Sequence, residues 1–289
     1  MKQVLKQKRL FPTSLDGFRM GAGSQPVTNF PAIAEKIIVT EMYTHWMSLY
    51  GEFQKDMYVI IDGSTGWGGR LVGVLGSFTD LRNRYRIHTG GRELSICYLT
   101  TDPHEEVSYR FKFIVDDYFK QIEPEADRQY FKFHKETFGS ETLEFYDFCK
   151  KIMKQYGVIG GQLSLTSPPY FNREKYGGIG SDGQSHTNYK NYDLWRDGFL
   201  KGSIQNIHKL LLPQGRFYLN IANLKEGKKI IHPLETDSVK YAEEYGFQCI
   251  ETYKMLLSGS GKGSINQVTI NKNTRKFEPI FVLEKQDKG

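Results

Sequence analysis

Val59-Ile60-Ile61-Asp62 is an apolar run ending in an acid, and Gly63-Ser64-Thr65-Gly66-Trp67-Gly68-Gly69 comes at once after it. A helix-compatible segment, Arg70 to Leu75, is next. Strand, glycine-rich turn and helix in direct succession point to a sheet whose strands are joined by helices. The rest of the chain keeps that rhythm. Asn29-Phe30-Pro31 reads as a helix start, with Ile33, Ile37, Ile38 and Met42 on one face of that helix. Leu94 to Leu99 reads as a second strand, Glu105 to Ile122 as a helix, and Tyr130 to His134 as a third strand. Gly139-Ser140-Glu141 opens another helix. A helix over Asp193 to Leu211 precedes a Pro213-Gln214-Gly215 turn and a strand over Arg216 to Ile221. Leu234 to Tyr245 is a late helix, and Gln248 to Leu257 and Pro279 to Leu283 are expected to form a final antiparallel pair. The expectation is an α/β fold with a mostly parallel sheet, an antiparallel C-terminal strand and helices on both faces.

A second stretch carries chemistry. Leu163-Ser164-Leu165-Thr166 is fit for a buried strand and stops at Ser167-Pro168-Pro169-Tyr170. Neither proline donates a hydrogen bond, and each biases the residue before it toward extended geometry. The result is a stiff turn presenting a small hydroxyl, carbonyls without competing amide protons, and an aromatic plane. Such a turn suits a flat heterocycle bearing an amino group, whose protons the oxygens accept while the ring stacks. A plain surface turn is the competing reading, since Pro-Pro pairs are common punctuation.

Taken alone, the glycine turn is neither a phosphate loop, for no Gly-Lys-Ser/Thr comes after it, nor the full dinucleotide fingerprint, for Leu71 stands where a third glycine is expected. The two stretches in this order resemble the DNA amino-methyltransferases, which use S-adenosylmethionine to methylate an exocyclic base nitrogen. Their first motif looks like Asp-Pro-Phe-x-Gly-x-Gly and their catalytic motif like Asp/Asn/Ser-Pro-Pro-Tyr/Phe. Thr166-Ser167-Pro168-Pro169-Tyr170 is most similar to the N4-cytosine group. The resemblance spans roughly residues 29–285 and is specific only at the two motifs. Gly63 and Ser64 stand in place of the first motif's Pro and Phe, although Trp67 offers an apolar contact of its own.

The resemblance implies a Rossmann-like methyltransferase fold and S-adenosylmethionine as cofactor. It places Asp62, Gly63, Ser64, Gly66, Trp67 and Gly68 at the cofactor, with Phe30 near its carboxypropyl end and Ser140 near its adenine. Asp102, at the tip of the second strand, is suited to the two ribose hydroxyls, because a carboxylate accepts both protons; capping the next helix is its other reading. Ser167, Pro168, Pro169 and Tyr170 become the catalytic group, acting on a base flipped from double-stranded DNA. Adenine N6 is the alternative target; RNA, a protein glutamine, or a fold retained only for nucleic-acid binding are further ones. Ring-carbon methylation is disfavoured, since none of Cys97, Cys149 and Cys249 stands directly after a proline.

The charge balance, 39 basic against 33 acidic residues for a net +6, is compatible with a polyanionic partner without identifying one. Arg82, Arg84, Arg86 and Arg92 surround Tyr85 and His88 in a stretch, 80–93, that reads either as a phosphate-contacting loop or as an exposed hairpin. Arg173 in a glycine-rich loop over 171–190, and Lys262 in a basic arm over 258–277, are further candidate nucleic-acid contacts. Residues 1–28 read as a basic, loosely structured arm ahead of a single domain over 29–289. Strong target choice then depends on these loops or on a second subunit, either a dimer mate or a specificity partner. The widely spaced cysteines suggest neither zinc nor a disulfide framework and fit a reducing cytoplasm. No apolar signal region opens the chain and no run is long enough to cross a membrane. A bacterial or viral restriction-modification setting is what the resemblance implies.

Overall fold

A computed structural model describes residues 30–171, 185–226, 229–256 and 277–287. The N-terminal arm, Asn29, Arg173 and Lys262 therefore lie outside the described residues. The chain divides into two compact units, one of residues 30–255 and 278–289, the other of 1–29 and 256–277. The first unit carries the elements that position the site.

Nine strands occur in chain order: β1 Met57–Asp62, β2 Ser95–Thr101, β3 Phe131–Glu136, β4 Gly161–Thr166, β5 Leu211–Asn220, β6 Leu224–Glu226, β7 Lys229–His232, β8 Phe247–Leu256 and β9 Phe277–Lys285, among the described residues. Seven of them form the main sheet, in the order β3-β2-β1-β4-β5-β9-β8, and β6 and β7 pair as a separate ribbon. Strands β3, β2, β1, β4 and β5 pair in parallel, and β9 runs antiparallel to β5. All residues of β1 and β4 are buried, as expected where helices cover both faces. Among the described residues the longer helices are α1 Ala32–Tyr50, α2 Gly69–Leu75, α3 Phe78–His88, α4 Glu105–Gln121, α5 Leu143–Gln155, α6 Lys201–Leu210 and α7 Leu234–Tyr245. Successive strand residues alternate between the two layers. Met57, Val59 and Ile61 join Phe145, Cys149, Ile204 and Ala242 in the core beneath α5, α6 and α7. Tyr58 points the other way, and its hydroxyl donates to the Val39 carbonyl of α1 at 3.1 Å. This is the doubly wound α/β arrangement that the strand–helix alternation predicts.

Four local expectations are corrected. Ile38 and Met42 are buried, but Ile33 and Ile37 are 66% and 59% exposed. The inward face of α1 carries Glu35 instead, because α2 crosses there at Gly73, where a Cβ would lie 2.3 Å from the Glu35 Cβ. Gly139-Ser140-Glu141 stays outside α5, whose cap is Thr142, accepting from the Phe145 amide. Pro213-Gln214-Gly215 is not a turn before β5 but a bulge within it: Leu211 pairs with Gly161 and Arg216 with Leu163, and Gln214 takes φ +62°. Most of the stretch over 80–93 is helix α3 rather than a loop. The antiparallel ribbon of β6 and β7 is an addition of which the sequence reading has no trace.

Among the described residues no helix is long and apolar enough to cross a membrane, and no cluster of His, Cys, Asp and Glu could hold a metal ion.

Candidate active site

Parallel pairing decides where the two motifs meet. Ile60 aligns with Leu163 and Ile61 with Ser164, so β1 and β4 end side by side. The glycine turn after Asp62 and the Ser167–Tyr170 turn after Thr166 leave the same edge of the sheet at neighbouring positions. Between β1 and β4 the strand order also reverses direction, the place where open α/β sheets leave a crevice for ligands.

The first turn is fastened from below. Asp62 is 1% exposed; one carboxylate oxygen accepts from Arg70 Nε at 2.8 Å and the Tyr98 hydroxyl at 2.7 Å, the other from the Ser64 amide at 3.2 Å. Asp62 therefore holds the turn through protein donors instead of presenting a bare carboxylate to a ligand. Arg70 stacks over Phe30, its guanidinium carbon 5.7 Å from the ring centre, so Phe30 is buried against the same cluster. Glu35 completes it. Burial first, and the Asp62 charge second, push the Glu35 carboxyl well above the usual range, while Arg70 pulls it back. Neither Glu35, Arg70 nor Tyr98 stands out in the sequence; the packing of α1 on α2 and the pairing of β1 with β2 bring them together.

Asp102 ties the turn to β2. Its carboxylate accepts from the Gly66 amide at 2.8 Å and the His104 amide at 3.0 Å, and the Thr65 amide donates to the Thr101 carbonyl at 3.1 Å. Burial pushes its carboxyl up, and the two amides hold it down. The His104 bond spans two residues and does not reach into α4, so Asp102 braces the loop ahead of that helix without capping it. Two glycines of the turn differ in role. Gly68, at φ +87°, could bear a Cβ only 2.9 Å from Ile114 Cδ1, so it serves packing on α4. Gly66, at φ +61°, faces no described atom within 4 Å and leaves the turn open beside Asp102. Trp67 is 42% exposed, its ring 6.5 Å from that of His104.

Gly63 has a structural cause. A Cβ there would sit 2.8 Å from the Ser140 Cβ. Ser140 is buried, its hydroxyl 2.8 Å from that of Ser203 and its carbonyl accepting from Asn206 Nδ2 at 3.0 Å. The loop before α5 thus closes on the end of β1, leaving no room for the proline of the resembled motif. Gly63→Ala is expected to lower stability by about 1–3 kcal/mol through overpacking. In a Ser140→Gly background the same exchange should cost much less, as read by denaturant melts of the four proteins. Equal costs in both backgrounds would show that Ser140 does not set the limit.

The second turn is held from several sides. Ser167, Pro169 and Tyr170 are half-buried and Pro168 is buried. The Tyr170 hydroxyl donates to Glu278 at 3.4 Å, and burial raises the Glu278 carboxyl. Phe171, at φ +45°, occupies backbone space uncommon for a bulky residue. Its amide donates to the Pro169 carbonyl at 3.0 Å, and its ring lies 6.1 Å from Trp195 and 5.4 Å from His232. The hydroxyls of Ser164 and Thr166, just beneath the turn, are buried without a hydrogen-bond partner among the described residues.

The arginine stretch is elsewhere. Helix α3 must return the chain to the start of β2, so Arg92 and its neighbours lie at the N-terminal edge of the strands, opposite both turns. Arg82 is buried, paired with Glu93 at 2.7 Å and Asp127 at 3.0 Å, and stacked on Tyr130 at 4.1 Å. Arg84 pairs with Asp80, Arg86 with Glu93, and Arg92 with Glu52 and Asp56. The stretch read as either a phosphate-contacting loop or an exposed hairpin is mostly helix, and its arginines, three in α3 and Arg92 after it, meet this chain's own acids.

No family profile matches the sequence, and no curated protein matches it. Solved structures do resemble the fold. One is a protein of Listeria monocytogenes provisionally assigned as a class I S-adenosylmethionine-dependent methyltransferase: 12% identity, TM-score 0.49, 99% of this chain and 69% of that one covered. Another is an rRNA methylase of Streptococcus thermophilus: 12% identity, TM-score 0.42, 91% and 100% covered. A third, from Thermus thermophilus and provisionally assigned as a DNA modification methylase, aligns over 48% of this chain and 50% of its own at 16% identity and TM-score 0.31. At these scores the likenesses carry no argument about activity.

Proposed function

We propose that the protein is an S-adenosylmethionine-dependent methyltransferase that modifies an exocyclic amino group of a DNA base, with cytosine N4 as the target. The observation that carries this reading is the emergence of the glycine turn and of Ser167-Pro168-Pro169-Tyr170 side by side from β1 and β4. The open space at Gly66 beside the half-buried Asp102 carboxylate fits an adenosine bearing two ribose hydroxyls, and Trp67 offers an aromatic face. When bound there, the cofactor supplies an electrophilic methyl group on a sulfonium.

This chain's residues do the rest by positioning and hydrogen bonding. A base amino nitrogen is a weak nucleophile because its lone pair is shared with the ring. Ser167 Oγ and the Pro168 carbonyl accept its two protons and localise that lone pair. Tyr170 stacks on the base, its hydroxyl anchored by Glu278. The amino nitrogen would take up the methyl carbon as that carbon's bond to sulfur is given up, and would then release a proton to solvent.

The deciding experiment is transfer of labelled methyl from S-adenosylmethionine to unmodified DNA, with product nucleosides identified by mass. N4-methylcytosine is the expected product. N6-methyladenine would keep the mechanism and overturn the base assignment. Transfer only to RNA or protein would overturn DNA as substrate, and absence of cofactor binding in calorimetry would overturn the enzyme reading.

A further inference from the structure

The ribbon β6–β7 comes directly after β5, so it stands on the same edge of the sheet as the two turns. Its base is rigid. The Asn223 amide donates to Glu235 Oε1 at 2.9 Å, and the Glu235 amide donates back to Asn223 Oδ1 at 3.0 Å, clamping the ribbon to the start of α7. Leu224 is buried, and the ring of His232 stacks on Tyr192 at 4.2 Å with an 18° tilt. The Tyr192 hydroxyl is itself held by Asp237 at 2.6 Å. His232 also meets Phe171 edge-on, the residue directly after Tyr170.

Its upper part is different. Ile230 and Ile231 are 47% and 43% exposed. Consecutive strand residues point to opposite faces, so both faces of the ribbon are bare there. Lys229 and Lys225 are exposed on the same ribbon. A single exposed isoleucine is ordinary. Two in succession on a clamped, lysine-bearing ribbon beside the candidate catalytic turn are arranged for a partner that is anionic outside and apolar within.

We propose that β6–β7 is a nucleic-acid-contacting element, with Lys229 meeting the phosphate backbone and Ile230 and Ile231 the groove or the gap left by the displaced base. Nucleic acid is the occupant because it offers phosphates and flat apolar faces within one ribbon's width, and a two-stranded ribbon fits a duplex groove. His232 fixes the ribbon's distance from Ser167–Tyr170 through Phe171. The inference rests on the proposed function and adds to it the element that grips the substrate.

The test is a triple variant, Lys229→Ala, Ile230→Ser, Ile231→Ser, of the full chain, assayed with duplex DNA and S-adenosylmethionine. KM for DNA is expected to rise about tenfold or more, with cofactor affinity unchanged in calorimetry. The salt slope of DNA binding should fall by about one. Should the triple variant lose cofactor binding, the three single exchanges carry the same test, each with a smaller rise in KM. If the parent methylates DNA and no variant changes KM or the salt slope, the ribbon inference is overturned and the proposed function stands. If the parent methylates no DNA, both are overturned.

Discussion

Ser167→Ala is expected to lower kcat for methyl transfer roughly 100-fold while leaving S-adenosylmethionine affinity within about twofold. The reasoning starts from the proposed role of the hydroxyl. An acceptor aimed at an amino proton does most when the nitrogen is gaining positive charge, so its loss weighs on the transition state more than on the ground state. The residues proposed to face the cofactor lie in the turns after β1 and β2, apart from the turn after β4 that carries Ser167, so binding of the methyl donor should be spared. Ser167→Asn keeps an acceptor on a short side chain and is expected to recover part of the loss. Single-turnover kinetics with saturating DNA, beside calorimetry with the cofactor, separate the two quantities. Full turnover in Ser167→Ala with normal cofactor binding would reject the role assigned to Ser167.

Arg70→Ala should be among the most destabilising exchanges in the molecule, at about 3–5 kcal/mol. Arg70 is 3% exposed and donates to the Asp62 carboxylate, and it also lowers the proton affinity of buried Glu35. Removing it leaves two buried acids with no cation between them. The pH dependence comes from Glu35. Its carboxyl is raised in the folded protein, whereas in the unfolded chain it titrates near 4.3. Above that pH the folded state holds more protons than the unfolded state, so stability falls as pH rises toward the folded value. Without Arg70 the folded value rises further, and the fall extends to higher pH. The deficit of Arg70→Ala should therefore be larger at pH 8 than at pH 5, and Glu35→Gln added to it should recover stability at pH 8. Urea melts at the two pH values read this directly. A deficit independent of pH would show that Glu35 is not part of the cluster's balance.

How far these features are legible in the sequence varies with the range of the interactions behind them. Val59–Asp62 and Leu163–Thr166 are readable because a short apolar run ending in Gly or Pro is a local signal, and both observed strands end where those residues end the run. Helix α7 starts and stops at Leu234 and Tyr245 as its own periodicity and the glycine after it dictate. The arginines of the 80–93 stretch, three in α3 and Arg92 after it, are misread for the converse reason. Their partners Glu52, Asp56 and Asp127 come from other connections at the far edge of the sheet, and nothing in the run Arg82 to Arg92 names them. Glu35 is hidden in the same way. An acid in an amphipathic helix reads as solvated, and only the close crossing at Gly73 turns it inward. The β6–β7 ribbon is too short and too charged to show a strand period; its clamp depends on Glu235 of α7 and its stack on Tyr192.

The sequence by itself thus determined the α/β alternation and the two turns that could carry chemistry, because backbone stiffness at Pro168-Pro169 and freedom at Gly66 are properties of the residues themselves. Only the tertiary structure decided that the turns are neighbours, since parallel pairing of β1 with β4 joins segments far apart in the chain. The same packing left room only for glycine at position 63 beside Ser140, buried a two-acid, one-arginine cluster under the first turn, and stood an exposed ribbon beside the second. Local sterics are written residue by residue; burial and charge pairing exist only once distant segments share one interior.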